Sequence, residues 1–137
     1  MNLHILDTDH VSLHQYGHRQ VTARVEACAS DELAITIITV EEQMRGRLAQ
    51  IGRSGVDLTV AYDQLRATAG YFCDLPTLPF DAEAQHQFQQ LRERRIRIGT
   101  LDLRIAAIAL TQNAVLLTRN RRDFELVPGL RLEDWSQ

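Results

Sequence analysis

Four carboxylates and one amide punctuate this 137-residue chain where its backbone pattern changes: Asp7, Glu42, Asp102, Asn120 and Asp123. Asp7 closes the apolar run Leu3-His4-Ile5-Leu6, and Glu42 lies in Thr39-Val40-Glu41-Glu42. Asp102 follows the Gly99 turn, while Asn120 and Asp123 follow Leu117-Thr118. Brought to one edge, such carboxylates repel one another and their pKa values rise unless a cation neutralises them. Oxygen-only ligands favour Mg²⁺ or Mn²⁺, which keep several waters and bind substrate phosphates beside one or two protein carboxylates. An ion of this kind generates hydroxide, orients it in line with a phosphodiester and stabilises the leaving oxygen.

Each residue also has a purely structural explanation. Thr39-x-x-Glu42 has the form of a capping box, Asp102 complements a helix dipole, and Asn120 with Asp123 has the pattern of another cap. Asp9 is either an Asx-type cap on the first helix or an acid that orients Asp7. Thr8 and Thr118, each beside a proposed ligand, are placed to hydrogen-bond a carboxylate or a phosphate. Thr118 is equally the β-branched end of its strand. The set of acids, more than any one of them, points to chemistry.

Alternating strands and helices have to position that set. Leu3–Leu6 reads as a buried strand, followed by a helix to about Gln15 that Gly17 interrupts, and Val21, Val25 and Cys28 recur at helical intervals. Leu33–Ile38 has the β-branched, continuously apolar character of a strand buried on both faces, after which Thr39 opens a helix to about Ile51. Helices are expected from about Val56 to Phe72, from Asp81 as N-cap to about Arg95, and from Thr100. Pro76–Phe80, Ala114–Thr118 and Leu130–Leu132 supply the remaining strands. The pattern predicts an α/β fold with a mainly parallel sheet, flanked by helices in three layers, and a ligand crevice at the carboxyl ends of the strands.

Composition narrows the chemistry. With 45% hydrophobic and 24% charged residues, seven Gly and three Pro, residues 1–137 are expected to form a single globular domain. No apolar run approaches the roughly 20 residues of a bilayer span, and the N-terminus lacks the pattern of a signal peptide, so the expectation is a cytoplasmic protein with no membrane. Cys28 and Cys73 form no C-x-x-C pair and read as free, half-buried thiols. All 15 cationic residues are Arg, which excludes a Walker A site, a receiver domain with its lysine, Schiff-base chemistry and a serine–lysine hydrolase. A formal charge of −3 argues against coating nucleic acid by bulk electrostatics.

Local patches differ from that average. Arg92-Glu93-Arg94-Arg95-Ile96-Arg97 and Arg119-Asn120-Arg121-Arg122 flank the acidic motifs, and Arg97, Arg119, Arg121 and Arg122 are candidates to hold RNA by bidentate phosphate contacts and base stacking. The structural alternative for half of these arginines is a solvated helix end or loop. His10, His14 and His18 recur every four residues, a spacing suited to zinc on an unbroken helix, but Gly17 interrupts it and no Cys or acid completes a tetrahedral set. With no histidine in the acidic motifs, metal-activated water rather than a histidine base is expected, leaving 5′-phosphate ends.

Leu6-Asp7-Thr8-Asp9, Thr39-x-x-Glu42-x-x-x-Gly46, Ile98-Gly99-x-x-Asp102-x-x-Ile105-Ala106-Ala107 and Leu117-Thr118-Arg119-Asn120-x-x-Asp123-Phe124 resemble the successive motifs of PIN-domain ribonucleases. The closing Val127–Trp135 stretch resembles the tail of VapC toxins of bacterial type II toxin–antitoxin modules. The resemblance covers nearly the whole chain in the right order. It implies a PIN-like domain in which Asp7, Glu42 and Asp102 hold Mg²⁺, with Mn²⁺ as an alternative. Asn120 stands where many members carry Asp, so the fourth position falls to Asn120 or Asp123, with Thr118 beside them. Asp9 stands where Asn is common.

The resemblance further implies a toxin that cuts transfer or ribosomal RNA and so inhibits translation, a homodimer, and a cognate VapB-type antitoxin whose tail blocks the crevice. Apolar stretches such as Val56, Val60 and Tyr62 to Phe72 would serve as interface or as core. Two other classes remain: an inactive PIN-like module that binds RNA or a protein partner, supported by Asn120, and a Mg²⁺-dependent phosphohydrolase of small esters.

Overall fold

Alternation along short apolar strands decides the layering. A computed structural model describes residues 2–137, so Met1, the first residue of the expected 1–137 domain, lies outside the described residues. Its elements are β1 (His4–Leu6), α1 (Thr8–Gln15), α2 (Arg19–Ala27), β2 (Leu33–Thr36), α3 (Ile37–Ile51) and α4 (Leu58–Phe72). There follow β3 (Thr77–Leu78), α5 (Ala82–Glu93), α6 (Thr100–Thr111), β4 (Val115–Leu117), α7 (Arg121–Phe124) and β5 (Arg131–Glu133). The strands form one parallel sheet in the order β3-β2-β1-β4-β5.

Successive strand residues project to opposite faces, and the two faces bury different partners. Ile5 and Leu116 pack with Phe88, Leu91, Leu103, Ile105 and Phe124, from α5, α6 and α7. Leu6, Val115 and Leu117 pack with Val11, Val21 and Trp135, joined at the margin by Val40, Tyr71 and Phe72. Helices therefore cover both faces, giving the expected three layers. Ala106, Ala107 and Ala109 are buried in α6, where their small side chains let the helix lie close to its neighbours.

Sheet order sets the place of the crevice. From β1 the chain builds outward through β2 to β3, then returns to place β4 on the opposite side of β1. The order reverses between β1 and β4, and a ligand site belongs at the carboxyl ends of strands at such a switch point. Leu6 pairs in register with Leu117, and the Asp7 N–H donates to the Leu117 carbonyl at 3.1 Å. The residues following both strands thus emerge side by side.

Several boundaries move by a residue or two, and one shift matters. β2 stops at Thr36, two residues before the expected end of the strand, because Thr36 Oγ1 accepts the Thr39 N–H at 3.2 Å and caps α3. Thr39 is therefore inside the helix, and the expected Thr39–Glu42 capping box does not form. α4 begins at Leu58 because Asp57 caps it, accepting the Thr59 N–H at 2.9 Å. Asp81 caps α5 as expected, accepting from Ala84 N at 2.9 Å. α5 ends at Glu93, before the expected Arg95, which adopts φ 58° and turns the chain out of the helix. Cys28 and Cys73 are both free, but Cys73 is exposed where a half-buried thiol was expected.

Candidate metal and active site

Four elements each deliver one carboxylate to the switch point. Asp7 leaves the end of β1, Glu42 sits in the second turn of α3, Asp102 in the first turn of α6, and Asp123 in α7 after β4. Burial first, and then the charges of Glu42, Asp7 and Asp123, push the Asp102 carboxyl up to about 6, so the four acids lie near enough to act on one another. The sequence led to the expectation of such mutual repulsion, and Asp102 carries it.

Individual acids are held differently. Asp7 caps α1, its Oδ1 accepting the His10 N–H at 2.7 Å. Glu42 Oε1 accepts the Thr8 hydroxyl at 2.9 Å, and Thr8 Oγ1 also lies 3.0 Å from Thr39 Oγ1. With the capping role taken by Thr36, Glu42 is left to this contact across to α1. Thr8 thus positions a carboxylate, one of the two roles its place in the sequence suggested.

Asn120 and Asp123 form a unit. Asn120 occupies the N-cap position of α7 without capping it, since its Nδ2 donates to Asp123 Oδ2 at 3.1 Å. The cap expected from this pair is absent: no side chain accepts from the α7 backbone, and the Asn120 amide is turned toward the carboxylate. Thr118 is fully buried, and its Oγ1 accepts the Asn120 N–H at 2.9 Å. A hydroxyl so enclosed shapes the turn carrying Asn120; the expected contact of Thr118 with a phosphate is not available from that position.

Arg119 and Asp9 pair across the chain. Arg119 Nε and Nη2 reach the two oxygens of Asp9 at 2.7 and 2.6 Å. Asp9 is therefore neither the cap of α1, which is Asp7, nor a partner hydrogen-bonded to Asp7. The same pair fills the forked edge of Arg119 that was expected to grip RNA. Arg121 lies 3.6 Å from Glu125. Arg97 and Arg122 are exposed and have no carboxylate within ion-pair distance among the described residues.

The histidine series disperses. His10 is fully buried, His14 Nδ1 meets the Tyr71 hydroxyl at 2.7 Å, and His18 caps α2. Asp7, Asp9 and His10 do bring one donor atom each within 4.8 Å of one another. Within that grouping Asp9 is already paired with Arg119, which weakens it as an ion ligand. Asp7, Glu42, Asp102 and Asp123 offer oxygen donors alone, and the charges of the other three act on Asp102. His10, considered in the sequence only for zinc, and Trp135, there only part of the closing motif, meet beside Asp7, and the Asp7-x-x-His10 spacing was the signal for the first.

Comparison with known proteins places these features in context. A family model described as PIN domain matches residues 5–130. The tRNA(fMet)-specific endonuclease VapC of Salmonella typhimurium is 36% identical over 75 residues, 52% of this chain and 57% of that protein. Ribonuclease VapC2 of Rickettsia felis is 34% identical over 67 residues, 46% of this chain and 50% of its own length. The chain spans about half the length of these curated relatives. A crystal structure of DNA-bound VapBC from Salmonella typhimurium matches 98% of this chain and 99% of the solved chain, with a TM-score of 0.83 and 26% identity.

Proposed function

The chain belongs to the PIN domain family, and from that premise we propose that it is a metal-dependent endoribonuclease acting as the toxin of a VapBC-type module. The observation that carries this reading is the placement of Asp7, Glu42, Asp102 and Asp123 on elements that meet at the β1–β4 switch point, where the other three acids act on Asp102. These four side chains would hold Mg²⁺ or Mn²⁺, a hard ion suited to oxygen donors. When bound, the ion supplies positive charge to the phosphodiester and makes a water more acidic.

The protein's own groups do the rest. Thr8 orients Glu42, and Asn120 orients Asp123 while Thr118 fixes the turn beneath it. Asp123 is thus assigned to the ion and Asn120 to its support. That division favours a cutting enzyme over an idle module, because the fourth carboxylate is supplied three residues beyond Asn120. Arg97, Arg121 and Arg122, exposed at the flanks, would draw the RNA backbone toward the crevice.

Substrate and partners follow from the relatives. Transfer RNA is the first substrate to test, since the Salmonella relative is named for tRNA(fMet). A VapB-type antitoxin and a homodimer are proposed because the matched solved structure is a VapBC complex. Exposed Leu48, Leu58, Val60 and Tyr62 on α3 and α4 offer apolar area for such contacts. The protein is proposed to act in the cytoplasm as a single domain; among the described residues no helix is long and apolar enough to cross a membrane.

The test incubates wild type, Asp7→Asn and Asp102→Asn with total RNA and Mg²⁺ or EDTA, then sequences the new 5′ ends. Cleavage at a few defined sites, leaving 5′-phosphates and abolished by EDTA and by both substitutions, is the expected result. Intact RNA beside folded protein that binds Mn²⁺ would overturn it.

A further inference from the structure

His10 lies beside the crevice without belonging to it. The imidazole is fully buried, and its two nitrogens face different parts of the chain. Nε2 accepts the backbone N–H of Trp135 at 3.1 Å, a residue 125 positions away, and Asp134 Oδ1 lies 3.5 Å from the same nitrogen. A lone pair at Nε2 places the proton of the ring on Nδ1. Nδ1 has no hydrogen-bond partner within bonding distance, and Asp7 Oδ1 lies 3.5 Å from it. The same oxygen accepts the His10 backbone N–H at 2.7 Å. Oδ1 thus holds one hydrogen bond from His10, through the backbone N–H, with the ring Nδ1 beside it but beyond bonding distance.

The far side of the ring is held by the segment after β5. Trp135 is buried among Leu6, Val11, Val21, Val115 and Leu117, its ring 5.2 Å from that of His4. Its indole N–H donates to Glu133 Oε1 at 3.1 Å, which ties the ring back to the end of β5. The Trp135 amide therefore has a fixed position, and its bond to Nε2 favours the proton on Nδ1.

We propose that His10 is a positioning residue for the metal site: held from behind by the Trp135 amide, it presents its Nδ1–H to Asp7 and fixes that carboxylate for the ion. The inference rests on the four-carboxylate site proposed above. Hydrogen-bond partners behind a ligand typically matter by about 10–100-fold in metal affinity or activity. A histidine that merely fills the core would matter through stability alone.

Two substitutions separate the two ends of the ring. His10→Asn places an amide N–H where Nδ1 stood and loses the acceptor for Trp135. His10→Gln reaches Trp135 with its carbonyl and loses the donor to Asp7. Mn²⁺ affinity, read by paramagnetic resonance, should weaken about 10–100-fold in His10→Gln and change little in His10→Asn. Melting temperature should fall in the opposite order, with His10→Asn the less stable. In RNA cleavage His10→Gln should lower kcat with KM unchanged.

Affinity that tracks melting temperature, or His10→Gln binding Mn²⁺ as wild type does, would overturn the proposal. The ¹⁵N shifts of the His10 ring in the wild-type protein give a check that needs no variant: a proton on Nε2 would sink it. Wild type that binds Mn²⁺ with the expected variant order but cuts no RNA would support the positioning role and overturn only the nuclease reading. Wild type that binds no Mn²⁺ would overturn both.

Discussion

The two walls of the crevice are furnished unequally. On the wall built by β1, α1 and α3, Asp7 accepts a backbone N–H and Glu42 accepts the Thr8 hydroxyl. On the α6 wall, Asp102 has no hydrogen-bond donor among the described residues and is pushed up to about 6 by burial and by the acids facing it. One wall holds its carboxylates by hydrogen bonds; the other holds a carboxyl whose charged form is disfavoured. On the reading proposed above, a bound cation would answer the charge at Asp102 more than that at Asp7.

The largest test of this contrast is to remove that charge. Asp102→Asn should reduce RNA cleavage by more than the roughly 10–100-fold expected for losing a supporting hydrogen bond, measured as kcat/KM on a defined RNA. A loss confined to a few-fold would mean that Asp102 is not a ligand.

Support on the organised wall should matter less. Thr8→Val keeps the shape and removes the donor to Glu42, so Mn²⁺ affinity should fall about tenfold while the fold is retained. If Thr8→Val behaves as wild type, the difference between the walls loses its functional meaning.

Stability should show the opposite preference. A carboxyl that titrates near 6 when folded and near 3.9 when unfolded binds its proton more tightly in the folded state. Its stabilising contribution is full below about pH 4 and is lost as pH rises through about 6. Metal-free protein should therefore be less stable at pH 8 than at pH 5 on account of this group. Asp102→Asn should recover about 1–2 kcal/mol at pH 8, a figure reduced for solvent screening and measurable by urea melts. Mn²⁺ should stabilise wild type at pH 8 but not the variant.

The smallest effect belongs to the exposed Asp9–Arg119 pair. Asp9→Asn should cost about 0.2–1 kcal/mol and less at high salt, because both partners are solvent-accessible. It should also free the Arg119 fork, so that RNA binding holds or strengthens. Weaker RNA binding would show that the pair itself shapes the rim.

Much of this arrangement was legible in advance, and the reason differs from residue to residue. β-Branched runs announced β1, β2 and β4, and Asp81 announced the start of α5. Local rules failed where two residues offered the same local role. Thr36 and Thr39 are both good caps, and only the packing of Ile38 into the core, with the strand register of β2, selected Thr36. That choice turned Glu42 from a capping residue into a site residue.

By itself the sequence determined which residue types stood at the ends of strands and the starts of helices, because those depend on interactions spanning three or four residues. It also determined that any basic recognition must use arginine. The tertiary structure alone decided which distant groups meet: Asp9 with Arg119, Thr8 with Glu42, and Trp135 with His10, separated by 110, 34 and 125 residues. Such pairings depend on the order of strands in the sheet. Sheet order comes from burying two apolar faces at once, a condition that no single segment of the chain contains.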